Sequence, residues 1–179
     1  LGKKAPILAV IAALAAASMA GLPPFLGFVG KETAFSAVLD TPALAPAVSA
    51  LVLTGLVLGS ILTVTYSIRF VWGAFGRKQL ERPSPAVASM HAPGALFLAA
   101  PAFLAVLGAV AGVASPVVGR LVEPYTFTVD SYGQAPYHLS LWHGFNLPLA
   151  LSAVVVTGGV ALFIAHSVVN RLNFEHPPL

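Results

Sequence analysis

The stretch Met19-Ala20-Gly21-Leu22-Pro23-Pro24-Phe25-Leu26-Gly27-Phe28-Val29-Gly30-Lys31-Glu32 decides how this chain is read. It sets a helix breaker, and then two adjacent opposite charges, inside sequence that otherwise has the make-up of a membrane span. An ionised lysine near the bilayer centre costs roughly 2.5–3.5 kcal/mol on insertion scales, so such a charge is kept for a function or a partner. The double proline removes amide donors and frees backbone carbonyls at the same depth. Unwound backbone is tolerated in a membrane only beside water or protein, and a broken helix with a charge next to the break is how membrane proteins build ion sites.

Outward from that stretch, the composition is that of a membrane protein. The chain has 179 residues, 58% hydrophobic and 8% charged, with a mean hydropathy of +0.89. A soluble domain averages about 25% charged residues. The apolar runs are long and continuous rather than short and alternating, which predicts an all-α polytopic protein and not a barrel. There is no cysteine, so disulfide and thiol chemistry are excluded. The formal charge of +3 is not a nucleic-acid signal, because the cations are dispersed and sit at span ends. The lipid bilayer is the expected surrounding. The first residues, Leu1-Gly2-Lys3-Lys4, have the basic start of a signal peptide, but no convincing cleavage site precedes Pro23 and Lys31, so an ordinary lysine-flanked span is the better reading. The chain also begins without Met, and it is expected to be part of something larger.

Residues 1–179 are expected to form one membrane domain with four apolar blocks, about 5–39 (broken at 21–25), 44–75, 93–118 and 144–169. Asp40-Thr41-Pro42 separates the first two, and a polar loop with Arg77, Lys78, Glu81 and Arg82 separates the second pair. Ser115 to His143 is mixed and proline-containing, and its segment Thr126-Phe127-Thr128-Val129 is expected in a loop.

Charge bias decides whether the first block crosses once or twice. If it crosses once, Lys3, Lys4, Arg77, Lys78, Arg82 and Arg171 share one side and only Arg120 lies opposite. If it crosses twice, the bias disappears. One discontinuous helix is therefore expected, with both chain ends and the 76–92 loop in the cytoplasm and the 119–143 loop outside. The result is a multi-pass cell-membrane protein of about four transmembrane segments.

Other features are weaker signals. Gly55 with Gly59, and Gly108 with Gly112, are small-xxx-small pairs that let helices approach, either as a dimer face or as ordinary bundle packing. Trp72 and Trp142 fit interfacial anchoring. Arg69 is expected to snorkel to the headgroups, with Tyr66 near it, and these two and His143 are secondary polar candidates. The histidines His91, His138, His143, His166 and His176 lack zinc spacing, so no metal is expected. No cofactor motif or nucleophile elbow is present, and the chain is read as a transporter component and not an enzyme.

Lys31 and Glu32 remain as the chemistry. A buried lysine can lose and regain a proton near neutral pH, which makes Lys31 a relay element. Glu32, one residue on, points about 100° away on a helix and is expected to meet another helix or subunit, or to cap the half-helix at the break. Gly21, Pro23 and Pro24 form that break.

At these residues the chain resembles a known family. Ala20-Gly21-Leu22-Pro23-Pro24-Phe25-Leu26-Gly27-Phe28 with Lys31-Glu32 is similar to the broken-helix motif of the antiporter-like subunits of respiratory complex I and of multi-subunit Mrp cation/proton antiporters. Tyr66-Ser67-Ile68-Arg69-Phe70 and His91-Ala92-Pro93 resemble the helices that follow it there. The stretch His138-Leu139-Ser140-Leu141-Trp142-His143-Gly144-Phe145-Asn146-Leu147-Pro148-Leu149 looks like the A-type large subunit of Mrp antiporters and not like the L-type subunit of complex I. The resemblance implies that Lys31 lies on the second discontinuous helix, near the exit of a proton half-channel. It also implies Na⁺/H⁺ exchange in a hetero-oligomeric complex with other membrane subunits. In that family about fourteen helices form the antiporter fold, and its first broken helix and central lysines lie upstream of the part matched. The rival expectations are a proton-pumping subunit of complex I or of a membrane hydrogenase, where it would be part of a redox-coupled translocase, and a non-conducting membrane scaffold.

Overall fold

The structure, a computed structural model, describes residues 2, 4–40, 45–76, 87, 89–91, 93–129 and 138–175. Among them every regular element is a helix: α1 (Pro6–Met19), α2 (Leu26–Asp40), α3 (Pro46–Phe75), α4 (Ala95–Val113), α5 (Ser115–Val129) and α6 (Leu147–Glu175). The charged part of the 76–92 loop and the Thr41-Pro42 break lie outside the described residues.

Among the described residues three helices are long and apolar enough to cross a membrane: α3, α4, and α6 over Leu147–Ser167. The 30 residues of α3 extend about 45 Å at 1.5 Å per residue, against a hydrocarbon core of about 30 Å. Neither α1, at 14 residues, nor α2, at 15, reaches that length alone. The first block is thus two half-helices, and each packs against both α3 and α4.

Local chemistry sets the helix ends. Pro46 opens α3 at a position where no amide bond is needed. Asn146 caps α6: its Oδ1 accepts the Leu149 amide at 2.9 Å. α4 runs through Pro101, as apolar spans tolerate. The Ser115–Val129 segment departs from the loop expectation. It is helical through Pro116 and Pro124, and Thr126 and Thr128 bond back to the carbonyls of Glu123 and Tyr125 at 2.7 Å. Val117, Leu121 and Tyr125 recur at i, i+4, i+8 and are exposed, with Arg120 and Glu123 on other faces. That amphipathic period outweighs the prolines and the mixed composition that had pointed to a loop.

α3 and α6 form the most extensive helix pair. Their contacts advance together along both chains, Ile61 against Gly158, Thr65 against Gly159, and Trp72 against Phe163. The two helices therefore run parallel. Gly159 lets Val64 close onto the α6 backbone, where a Cβ would collide with it, and the Thr65 hydroxyl donates to the Gly159 carbonyl at 3.1 Å. The core joins Ala20 of the break, Phe35 of α2, Val64 of α3 and Val155 of α6. Gly2 lies against the Phe75 carbonyl and Leu139 against Gly119, so the start of the chain sits at the end of α3 and the 138–146 segment at the start of α5.

Candidate functional site

The break between α1 and α2 is built from three sequence features. Gly21 adopts φ +64°, in the left-handed region that costs a side-chain-bearing residue about 1–2 kcal/mol. The Leu22 amide returns to the Ala17 carbonyl at 3.0 Å and the Gly21 amide to the Ser18 carbonyl at 3.1 Å. These two bonds are a Schellman stop with Gly21 just past the helix. Pro23 and Pro24, joined by a cis bond, then supply no amide with which a helix could resume. The next turn closes from Phe25 to Leu22 and from Phe28 to Phe25, and α2 begins.

Lys31 reaches back across this break. Its Nζ donates to the Gly21 carbonyl at 2.9 Å, one of the carbonyls that the end of α1 leaves without a helical partner. The Phe28 ring lies 6.0 Å from the ammonium, at the outer limit for a cation–π contact. A Cβ on Gly21 would sit 3.1 Å from both Cε and Nζ of Lys31, so the missing side chain also makes room for the lysine. The small-residue face of α4 seats the same region. A side chain at Gly112 would run into Pro24 and Phe25, and Gly108 faces Ser18. Gly55 and Gly59 of α3, by contrast, face open space within this chain.

Lys31 lines a pocket of about 220 Å³ with Gly21, Gly27, Ala34 and Phe35 on one side and Leu56, Ser60 and Thr63 of α3 on the other. Ser60 is the midpoint of the 30-residue α3. The lysine therefore sits beside the middle of the longest described helix, half-buried. Sequence reasoning had not singled out Ser60 and Thr63. Their i, i+3 spacing on an apolar helix was the available signal.

Glu32 faces elsewhere. It is 3% exposed, on the buried stripe of α2 with Phe28, Phe35 and Ser36, and Oε1 has no hydrogen-bond partner among the described residues. His143 is exposed in the segment before α6, with Nε2 2.7 Å from the His138 carbonyl. The buried hydroxyls of Ser67, Ser115 and Ser152 likewise lack partners among the described residues. Tyr66 and Arg69 are exposed on α3 and do not line the Lys31 pocket. The structure thus brings together Lys31, Gly21 and the break, buries Glu32 on another face of α2, and leaves Tyr66, Arg69 and His143 exposed and outside the Lys31 pocket.

Comparison with known proteins places this arrangement. Residues 1–62 match the family model described as NADH:quinone oxidoreductase/Mrp antiporter, TM. A probable A/B subunit of a K(+)/H(+) antiporter from Rhizobium meliloti (strain 1021) is 32% identical over 97% of this chain and 17% of its own length. The A1 subunit of a Na(+)/H(+) antiporter from Staphylococcus haemolyticus (strain JCSC1435) is 30% identical over 96% of this chain and 22% of its own. One polypeptide in the structure of the Mrp complex from Dietzia sp. DQ12-45-1b superposes with a TM-score of 0.64 at 38% identity, covering 95% of this chain and 18% of that one. The chain therefore spans about a fifth of the length of the proteins it matches.

Proposed function

The chain belongs to the family of A-type large subunits of Mrp antiporters, and on that premise we propose that it forms part of a monovalent cation/proton antiporter in the cell membrane, with Lys31 as a proton-translocating residue. One observation carries the reading: the Lys31 ammonium bonds the Gly21 carbonyl at 2.9 Å, in a helix break beside the middle of α3. A proton arriving at the pocket meets a base when Lys31 is neutral. When Lys31 is charged, the Gly21 carbonyl holds the ammonium until the proton leaves. Gly21, Pro23 and Pro24 keep that carbonyl unwound, and Ser60 and Thr63 supply hydroxyls across the pocket. The cation is Na⁺ or K⁺, the two ions named for the relatives. The partners are the other membrane subunits of such a complex. All 179 residues belong to one membrane domain with the first block crossing once.

The experiment is Lys31→Ala in the full-length subunit within its assembled complex. Cation-driven proton exchange in inverted vesicles is expected to be lost or strongly reduced with assembly intact. Lys31→Arg is expected not to restore it fully, since a guanidinium does not release a proton near neutral pH. Wild-type exchange in the alanine variant would reject the relay role and favour a scaffold.

A further inference from the structure

We propose that α5 is the second half of the crossing that α4 begins, and that its outward face is a lipid contact. Val117, Leu121 and Tyr125 on that face are seated against the acyl chains of the leaflet on the 138–146 side of the bundle. The inference goes beyond the reading of Lys31 and uses none of its proton chemistry.

Depth is set by the helix break. α3 is long and apolar enough to cross a membrane, and Ser60 is its midpoint. The Lys31 pocket joins Ser60 to Gly21 and Gly27, so the break lies level with the middle of α3. Gly112 packs on that same break, where a Cβ would strike the Pro24 carbonyl and the Phe25 backbone. Gly112 is the last residue but one of α4. By length alone α4 could cross a membrane, yet this packing ends it near the middle of α3. The step from Ser115 to Tyr125 rises about 15 Å along a helix, half of a hydrocarbon core of about 30 Å. α5 thus supplies the missing half of the crossing.

The junction carries α4 into α5. The Ala114 amide donates to the Val110 carbonyl at 2.8 Å, and the Val118 amide to the Ala114 carbonyl at 3.2 Å. Helical bonding therefore continues on both sides of Ala114. Pro116 withholds one amide, which kinks a helix at that point. The exposed apolar stripe is also continuous: Phe103, Val106, Val110, Val113, Val117 and Leu121 are all exposed and follow one another at three or four residues.

Which side α5 turns outward selects lipid over water and over protein. Ser115 is fully buried, Gly119 lies against Leu139, and Glu123 and Thr126 are half-buried on the same side of the helix. The small and polar side faces the bundle, while Leu121 is 76% and Tyr125 68% exposed. A helix at an aqueous surface is arranged the other way round. Helix–helix contacts in membranes are built on small residues. The outward side of α5 carries none from Val117 to Tyr125, and its single glycine, Gly119, is turned to Leu139. Tyr125 then stands at the interface, where amphipathic rings gather, and Arg120, at the edge of the face, extends toward the headgroups.

The test uses the full-length subunit in its complex, reconstituted in phospholipid vesicles, with other cysteines of the complex replaced. Val117→Cys, Leu121→Cys and Tyr125→Cys each carry a nitroxide. Oxygen is expected to relax the labels at Val117→Cys and Leu121→Cys more than a water-soluble nickel chelate does. The oxygen-to-nickel ratio is expected to fall stepwise from Val117→Cys through Leu121→Cys to Tyr125→Cys. Relaxation of the Leu121→Cys label mainly by nickel would put the face in water, and a label reached by neither reagent would put it under another protein segment. Either result overturns the proposal, as does an equal ratio at all three positions, which is that of a helix lying flat. The wild-type complex gives a second readout that needs no variant. A phospholipid with a photoreactive diazirine at the middle of its acyl chain is expected to form adducts within residues 117–125. Adducts elsewhere on the subunit with none in that segment would overturn the lipid contact.

Discussion

At Gly21 the backbone takes φ +64° and its carbonyl accepts the Lys31 ammonium at 2.9 Å. Alanine there would meet both demands badly. The left-handed conformation would cost about 1–2 kcal/mol, and the new Cβ would press on Cε and Nζ of Lys31 at 3.1 Å. Gly21→Ala is therefore expected to lower the melting temperature of the detergent-solubilised complex and to reduce exchange well beyond what that destabilisation explains. An unchanged exchange rate would show that the carbonyl contact is incidental. This residue also marks how far a sequence can be read. Gly21, Pro23, Pro24 and Lys31 stand out in an apolar run because each is costly there unless used. The element that Glu32 packs against does not stand out, because no local pattern points to a helix as distant in sequence as α6. Helix geometry still told that Glu32 points away from Lys31 and toward another element. Tyr66 and Arg69 drew notice for the same reason as Lys31, yet lie exposed on α3. Polarity in a span signals cost, and only packing shows where that cost is met.

The helix break is an element with two independent stops. The Schellman bonds from Leu22 to Ala17 and from Gly21 to Ser18 end α1 without either proline. Pro23 and Pro24 then block resumption by lacking amides and by clashing with the carbonyls one turn back. Replacing only the prolines with Ala leaves the glycine stop in place, so a partial loss of transport is expected. Adding Gly21→Ala removes both stops, and α1 can continue into α2. That turns Lys31 away from its pocket, and transport is expected to vanish with the protein still inserted, as assayed by exchange in vesicles together with membrane content. A normal rate in the triple variant would place the ion path elsewhere. α5 shows the opposite case, where breaker residues misled. Pro116 falls in the first turn, where its missing amide is harmless. Pro124 lies in an amphipathic helix whose i, i+4 apolar positions at Val117, Leu121 and Tyr125 outweigh it. Counting prolines suggested a loop, and the apolar period would have suggested the helix.

For the whole molecule, the number of crossings in the first block fixes which side every later loop faces. The charge distribution argued for one crossing, because Lys3, Lys4, Arg77, Lys78, Arg82 and Arg171 then share a side against Arg120. We propose the same count from the packing. Gly2 lies against the Phe75 carbonyl, so the chain start and the end of α3 share one end of the bundle. α3 and α6 run parallel, which places the 138–146 segment at the opposite end, beside α5. With two crossings in the first block, Gly2 and Phe75 would be separated by the full membrane. This chain has no cysteine, so single cysteines placed in it report cleanly once any in the rest of the complex are replaced. Those placed in the 76–92 loop are expected to react with an impermeant maleimide only from the cytoplasmic side, in inverted vesicles. Those placed in 125–137 are expected to react only in intact cells. Labelling of both loops from the same side would mean that α1 and α2 do not form one crossing. The Lys31 pocket would then lose its place at mid-membrane, and with it the reason to read Lys31 as a proton carrier.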